Sequence, residues 1–98
     1  MSNFKEKINS TKPTLVDFYA TWCGPCKMVH PILEDLKKQL GDKITILKID
    51  VDKNPNVSDQ FKIRSVPTLM LFQEGKTLWR ESGVIQINAL INKIQPHI

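Results

Sequence analysis

The chain has 98 residues, which is enough for one domain and too few for two. Hydrophobic residues make up 41% of the chain and charged residues 24%, the balance of an ordinary globular protein. The net charge of +4 is modest and the lysines are scattered, whereas nucleic-acid binding needs a concentrated basic face. We therefore expect a single domain over residues 1–98 that binds no nucleic acid.

The chain contains no predicted membrane helix, because its longest apolar runs are only a few residues long. Its first ten residues, MSNFKEKINS, lack the apolar core and the cleavage site of a secretory signal. We expect a monomer in the cytoplasm that binds no membrane. A mature chain from which a signal has been removed is the alternative.

The first predicted element is a short helix over residues 2–10, where apolar residues stand at helical spacing until Pro13 ends the pattern. The stretch TLVDFYA, residues 14–20, is nearly continuous in apolar side chains, which is typical of a central strand buried on both faces. From residue 25 to 40 the apolar residues fall on one helical stripe, and Gly41 is a natural stop.

The second half of the chain predicts three more strands. The stretch ITILKIDV, residues 44–51, predicts a second buried strand, and a turn and a short helix ending near Phe61 follow it. The stretch PTLMLF, residues 67–72, predicts a third strand. A hairpin turn around Gly75 joins it to a fourth, TLWRES, at 77–82.

An amphipathic helix over residues 85–94 closes the series. The order α-β-α-β-α-β-β-α predicts an α/β fold, a mixed sheet covered by helices on both faces, with parallel strands across the early crossovers. In open sheets of this kind, sites form beyond the carboxyl ends of the strands. The chain's two cysteines lie there, after the first strand.

Both cysteines belong to the stretch ATWCGPCKM. Cys23 stands at the start of the long helix, whose N-terminus stabilises a thiolate and lowers its pKa. Cys26 follows at i+3 on the same face. Pro25 suits the first helical turn, Gly24 leaves no side chain to obstruct a partner's disulfide, and Trp22 supplies an apolar surface beside them.

Three kinds of site fit a cysteine pair: a structural staple, half of a metal site and a redox-active dithiol. A bridge across two residues closes a very short loop and removes little unfolded-state entropy, which disfavours the staple. His30, at i+4 from Cys26, offers a third metal ligand, but a closed zinc site needs four. We therefore expect a solvated His30 and no metal. The pair suits thiol–disulfide exchange, with attack by Cys23 and release by Cys26.

The stretches VDFYATWCGPCKMVHPILEDL and SVPTLMLFQEGK resemble the active-site strand and helix of the thioredoxin family and its cis-proline loop and hairpin. The resemblance runs from about Phe4 to the C-terminus. It implies a thioredoxin fold and a general electron donor that reduces protein disulfides through a reversible Cys23–Cys26 dithiol. It further implies that no cofactor is bound, and that a thioredoxin reductase supplies electrons that come ultimately from NADPH.

The resemblance also implies roles for single residues. Cys23 matches the nucleophile and Cys26 the resolving cysteine. Asp17 matches the buried acid that assists proton transfer at the resolving cysteine, and Lys48 matches its neighbour. Pro67 matches the cis-proline that faces the cysteines. The positions that match the substrate-docking surface, besides Pro67, are Trp22, Gly24, Pro25, Val66 and Gly83.

Asp17 and Pro67 have alternatives that the residues leave open. Asp17 interrupts an apolar run, and its strand could turn it to solvent, although Leu15 and Tyr19 share its face. If it is buried, its carboxyl group needs a partner or a raised pKa, and Lys48 is the candidate partner unless it is simply exposed. We expect a cis bond before Pro67; a proline that merely starts a strand is the alternative.

The chain departs from the family pattern in three places. The family usually has a strand before the first helix, so we expect a sheet of four strands, or five if that strand is replaced, with one edge uncovered. Tyr19 stands where tryptophan is common. Ser65 stands where glycine is common, near the docking loop, which bears on the choice of partner.

Two other functions compete with disulfide reduction. An oxidase or isomerase would use the same cysteines, but the Gly24-Pro25 dipeptide resembles the reducing members. A docking module without catalysis would need neither cysteine. The presence of Cys23 and Cys26 together with Asp17 and Pro67 argues against that module.

Overall fold

The computed structural model describes residues 2–98. Its helices are α1 (Ser2–Ile8), α2 (Gly24–Leu40), α3 (Pro55–Gln60) and α4 (Ile87–Ile94). Its strands are β1 (Thr14–Tyr19), β2 (Thr45–Asp50), β3 (Thr68–Gln73) and β4 (Lys76–Ser82). Short 3₁₀ turns follow α2 at Gly41–Lys43 and α4 at Gln95–His97. The predicted order of helices and strands is confirmed; the two 3₁₀ turns were not predicted.

The described strands form one mixed sheet in the order β2-β1-β3-β4. β1 pairs in parallel with β2, and β3 pairs antiparallel with both β1 and β4. The predicted sheet of four strands and the parallel pairing across α2 are therefore confirmed. Because β1 and β2 are parallel neighbours, the loops that follow them meet at the same edge of the sheet.

Helices cover both faces of the sheet, as predicted, and side chains of β1 alternate between the two layers. Leu15 packs with buried residues of α2 and α4, namely Val29, Leu33, Leu36, Leu90 and Ile94. Val16 and Phe18 pack on the opposite face with residues of α1 and α3, namely Phe4, Ile8 and Val57. Burial on both faces explains why the β1 sequence is nearly continuous in apolar residues.

The predicted burial of the second strand is wrong for most of its length. Residues 45–47 of β2 are half-buried and Lys48 is exposed, so that only Ile49 and Asp50 are buried. The physical reason is the position of β2, which has β1 on one side and no further strand on the other among residues 2–98. The uncovered edge expected from the sequence is thus the outer edge of β2.

The β3–β4 hairpin turns at Glu74 and Gly75, which both have positive φ angles, of 52° and 80°. Two successive residues with positive φ are the signature of the tight turn that matches the twist of paired strands. The turn is also tied to the end of α1, since the Gly75 N–H donates to the Ile8 carbonyl at 3.0 Å. Glycine is therefore required here for its backbone conformation.

We predict that Gly75→Ala lowers the free energy of unfolding by about 1 kcal/mol, because an L residue is strained at this φ. A Cβ at this position would lie 3.5 Å from the Asn9 side-chain oxygen, an ordinary contact, so the cost comes from the backbone. Denaturant unfolding of both proteins measures it. The control is Gly24→Ala, where a Cβ would meet nothing within 4 Å and stability should stay unchanged. Equal stabilities of Gly75→Ala and the parent would contradict the prediction.

Candidate active site

The cysteine pair lies where β1 ends and α2 begins. Cys23 is the N-cap of α2, with extended backbone angles of −91° and 114°, and Gly24 is the first helical residue. The backbone N–H of Cys26 donates to the Cys23 sulfur at 3.1 Å. This N–H is one of those that a helix N-terminus leaves without a partner in the helix. The Cys23 sulfur therefore sits in the positive end of the helix, where a thiolate is stabilised.

Cys23 and Cys26 form a disulfide, with their Cα atoms 5.3 Å apart. Cys23 is 4% exposed and Cys26 1% exposed, and both pack against Ala20. The predicted pairing is present, and Cys23 is the more accessible of two nearly buried sulfurs. Access to the pair is therefore from the Cys23 side.

The loop before β3 brings Val66 and Pro67 to the cysteines, and Gly83 after β4 contacts that loop. The peptide bond between Val66 and Pro67 is cis, as expected. The carbonyl oxygen of Val66 lies 3.6 Å from the Cys23 sulfur. Gly83, which follows β4, donates its N–H to the Pro67 carbonyl at 2.8 Å. The C-terminal ends of β1 and β4 and the N-terminal end of β3 thus meet beside Cys23.

Trp22 stands at the rim with 71% of its surface exposed. Its indole N–H donates to a carboxylate oxygen of Asp52 at 2.9 Å, which fixes the plane of the ring. The ring forms one side of a groove of about 200 Å³, which is lined by Trp22, Val51, Ile63, Arg64, Ser65 and Val66. Gly24 and Pro25 are exposed beside it, and the absence of a side chain at Gly24 leaves that space open to a partner.

Asp52 is a site residue that the sequence analysis missed. It lies 30 positions after Trp22 in the chain, so no local pattern joins the two. One signal was available: Asp52 follows β2 as Trp22 follows β1, and parallel neighbours end at the same edge of a sheet. Loop residues after β2 were therefore candidates to meet the cysteine loop.

Asp17 lies in β1 with no exposed surface, so the solvent-facing alternative is wrong. Neither of its carboxyl oxygens has a hydrogen-bond partner. Burial raises the pKa of Asp17 from 3.8 to about 6, and the positive charge of Lys48 opposes part of that rise. The ionised form is disfavoured because burial weakens its solvation and no protein group donates a hydrogen bond to it.

Lys48 is the β2 residue directly opposite Asp17 in the register, yet its side chain is exposed. Within residues 2–98 the ion pair that forms joins Lys93 to Glu81 and does not involve Asp17. Lys48 therefore acts on Asp17 through its charge across a distance and not through a salt bridge. No hydrogen bond joins Asp17 to Cys26 either, so its role in proton transfer stays a prediction.

His30 is less solvated than the sequence predicted. Its ring is half-buried and meets the Tyr19 ring edge-on, with centroids 5.6 Å apart. The Nδ1 atom is buried without a hydrogen-bond partner. The difference arises because Tyr19, at the end of β1, reaches the helix face on which His30 lies.

Residues 2–98 contain no group of three or more His, Cys, Asp or Glu side chains that could hold a metal ion. In the same residues, no helix is long and apolar enough to cross a membrane.

We predict that Asp17→Asn is more stable than the parent at neutral pH. The folded pKa of Asp17 is raised, so the stability contributed by its neutral form is present below the unfolded pKa of 3.8 and is lost as pH rises through about 6. Asparagine is neutral at every pH and avoids that loss, which is on the order of 3 kcal/mol for this pKa shift.

Denaturant unfolding of both proteins from pH 3 to pH 8 measures this difference. The two free energies of unfolding should nearly coincide at the acid end and separate across the interval between the two pKa values. A variant that is less stable than the parent at neutral pH would show that the Asp17 carboxylate has a stabilising partner.

Comparison with known proteins identifies the family. The Thioredoxin family profile matches residues 1–96. A thioredoxin-like protein of Synechocystis is 50% identical over 95 residues, covering 96% of this chain and 90% of that protein. The thioredoxin of Rickettsia felis is 45% identical over 94 residues, covering 96% and 90%. A bifunctional thioredoxin reductase/thioredoxin of Mycobacterium leprae is 44% identical over 93 residues, covering 95% of this chain and 20% of that protein.

The fold agrees with these relationships. A mutant thioredoxin from Halobacterium salinarum superposes with a TM-score of 0.90 at 34% identity, covering 99% of this chain and 84% of that one. With a bonded CxxC pair at the N-terminus of α2, the chain belongs to the thioredoxin family and is a thiol–disulfide oxidoreductase that reduces protein disulfides.

Proposed function

We propose that residues 1–98 act as a general electron donor in which Cys23 attacks the client disulfide and Cys26 completes the reduction. The observation that carries this assignment is the hydrogen bond from the Cys26 N–H to the Cys23 sulfur. A donor at the positive end of a helix favours a thiolate at Cys23 over one at Cys26. The greater exposure of Cys23 supports the same order.

The exchange transfers two electrons in two steps. The Cys23 thiolate attacks one client sulfur, the client S–S bond breaks, and a mixed disulfide forms while the other client sulfur leaves as a thiolate. The Cys26 thiol then loses its proton and attacks the Cys23 sulfur. The mixed disulfide breaks, the Cys23–Cys26 bond forms, and the client leaves with both sulfurs reduced.

Asp17 is the proposed acceptor of the Cys26 proton, and Lys48 the residue that keeps Asp17 acidic enough to release it again. Asp17 is buried and without a hydrogen-bond partner, so its carboxylate has a high affinity for a proton. The charge of Lys48 opposes part of that affinity. No other buried carboxylate of the described chain lacks hydrogen-bond partners.

The proposed client site is the exposed surface around Cys23. An extended client segment would pair with the backbone of Val66, whose carbonyl oxygen is 3.6 Å from the Cys23 sulfur. Its side chains would contact the residues that border this point, which are Trp22, Gly24, Pro25, Pro67 and Gly83. The exposed ring of Trp22 and the open space at Gly24 support this assignment.

The partners follow from the same chemistry. A thioredoxin reductase would return electrons, ultimately from NADPH, to the Cys23–Cys26 disulfide, and disulfide-bearing proteins would consume them. The Mycobacterium leprae relative supports this, because it is a bifunctional thioredoxin reductase/thioredoxin. We propose that the protein works in the cytoplasm as a monomer, with no bound cofactor and with neither nucleic acid nor a membrane as a partner.

We predict that Cys26→Ser accumulates a mixed disulfide with a client protein through Cys23, since the resolving thiol is missing. Cys23→Ser should accumulate almost none, because Cys26 is buried and lacks the helix N-cap position. Non-reducing gel electrophoresis and mass spectrometry of the trapped species measure both. Equal trapping by the two variants would contradict the order of attack.

We predict that Asp17→Asn slows release of the reduced client by about 10-fold or more, while the attack by Cys23 changes less, because general-base catalysis is worth at least that factor. Rapid mixing of the pre-reduced variant with an excess of client resolves the two steps in a single turnover. Lys76→Gln, a change of an exposed charge at the far end of β4, is the control. Unchanged release by Asp17→Asn would assign the proton to another acceptor.

A further inference from the structure

Three hydroxyl groups form contacts beside the Val66–Pro67 segment: those of Ser65 and Thr68, which flank it in the chain, and that of Ser82. Ser65 Oγ lies 3.2 Å from Ser82 Oγ, and Ser82 Oγ lies 3.0 Å from Thr68 Oγ1. Thr68 Oγ1 in turn donates to the carbonyl oxygen of Ser65 at 2.7 Å. Thr68 and Ser82 are opposite each other in the β3–β4 register. The three contacts therefore join the docking loop to the end of β4.

The direction of each hydrogen bond follows from the number of protons. A hydroxyl group has one proton to donate. Thr68 gives its proton to the Ser65 carbonyl, so Ser82 must donate to Thr68. Ser65 must then donate to Ser82. The three hydrogen bonds therefore form a closed ring, from the Ser65 hydroxyl to Ser82, from Ser82 to Thr68, and from Thr68 to the Ser65 carbonyl. We call this arrangement the hydroxyl ring.

A second contact from β4 holds the other end of the same loop. The guanidinium group of Arg80 donates to the carbonyls of Phe61 and Lys62, the latter at 3.0 Å. Lys62 has a positive φ of 53°, an uncommon conformation for a residue with a side chain. The loop between α3 and β3 is thus fastened to β4 at both of its ends, by Arg80 and by the hydroxyl ring.

The fastened loop is the wall of the groove that faces Trp22. Ile63, Arg64, Ser65 and Val66 line it, and the Val66 carbonyl oxygen lies 3.6 Å from the Cys23 sulfur. We propose that Ser82 is a positioning residue for the reduction of protein disulfides, which acts through the hydroxyl ring to hold Ser65 and Val66 where a client segment docks. The proposal rests on the proposed docking of clients at Val66.

We expect loss of the hydroxyl ring to weaken the docking of clients more than it lowers the stability of the fold. Ser65 and Ser82 are exposed, and their hydrogen bond replaces bonds to water, so little net free energy of folding depends on it. Thr68 has no exposed surface, and its hydroxyl group donates to the Ser65 carbonyl. Loss of the ring should therefore loosen the loop while β3 and β4 stay paired.

The test uses pre-reduced full-length protein in single turnovers, which needs no reductase. One substrate is insulin, a protein disulfide that must dock, and the other is hydroxyethyl disulfide, which is too small to span the groove. For Ser82→Ala and Thr68→Val we expect the half-saturating insulin concentration to rise about 3–10-fold, the range for one or two lost hydrogen bonds. The maximal rate with insulin and the rate with hydroxyethyl disulfide should stay within about twofold.

Two further variants separate positioning from a general effect. Ser82→Thr keeps a hydroxyl group in the strand and should restore the parent's behaviour with insulin. Thr77→Val removes an exposed hydroxyl from the same strand outside the ring and should change the reduction of neither substrate.

The double variant Ser65→Ala/Ser82→Ala should match Ser82→Ala alone, because Ser82→Ala already removes the one bond that Ser65→Ala breaks.

The proposal is overturned if Ser82→Ala behaves like Thr77→Val, if both substrates slow in parallel, or if the double variant is more impaired with insulin than Ser82→Ala alone. A separate outcome would contradict the proposed function itself. If Cys26→Ser traps insulin no better than Cys23→Ser, docking of clients at Cys23 is wrong, and the proposed role of Ser82 is wrong with it. Normal trapping through Cys23 with an unchanged insulin dependence in Ser82→Ala overturns the positioning role alone.

Discussion

The hydrogen bond from the Cys26 N–H to the Cys23 sulfur depends on where β1 ends. β1 is an interior strand, with β2 on one side and β3 on the other, and its residues 14–18 are all buried, which holds the strand in place up to its half-buried last residue. The chain must then turn and enter α2 at Cys23, whose extended backbone makes it the N-cap. The environment of Cys23, the proposed nucleophile, is therefore set by the length of a buried strand and by the packing of α2 on it.

The same strand includes the least satisfied group of the structure. Asp17 is buried among apolar residues, and neither carboxyl oxygen has a donor. A threonine or valine there would fit the pleated surface without this cost. An interior carboxyl without partners is typical of a site where proton affinity matters more than stability. Burial thus links the fold to the chemistry through one side chain of β1.

The fold was predictable because each helix and strand buries a periodic set of apolar residues. The stripe of α2 and the apolar run of β1 gave these elements within one or two residues of their observed bounds. The burial predicted for β2 was wrong for most of the strand, because the pattern of apolar residues alone does not show which strand lies at an edge of the sheet. Cys23, Cys26 and Pro67 were recognisable from their motifs. Asp52 and Ser82 were not, because they join distant segments through exposed polar atoms. The contact between the His30 and Tyr19 rings was not, because it depends on how α2 packs against the end of β1.

The raised pKa of Asp17 also decides how well it can serve the proposed proton transfer. A free thiol has a pKa near ~8.5 and a free aspartate one near ~3.9, so an ordinary carboxylate is a weak base toward a cysteine. A pKa of about 6 brings the carboxyl group closer to the thiol while leaving it ionised at neutral pH. Full burial without Lys48 would raise the pKa further and leave the group protonated more of the time. Lys48, opposite Asp17 at the edge of the sheet, therefore adjusts the balance from outside the core, and the exposed position of β2 is what allows a lysine there.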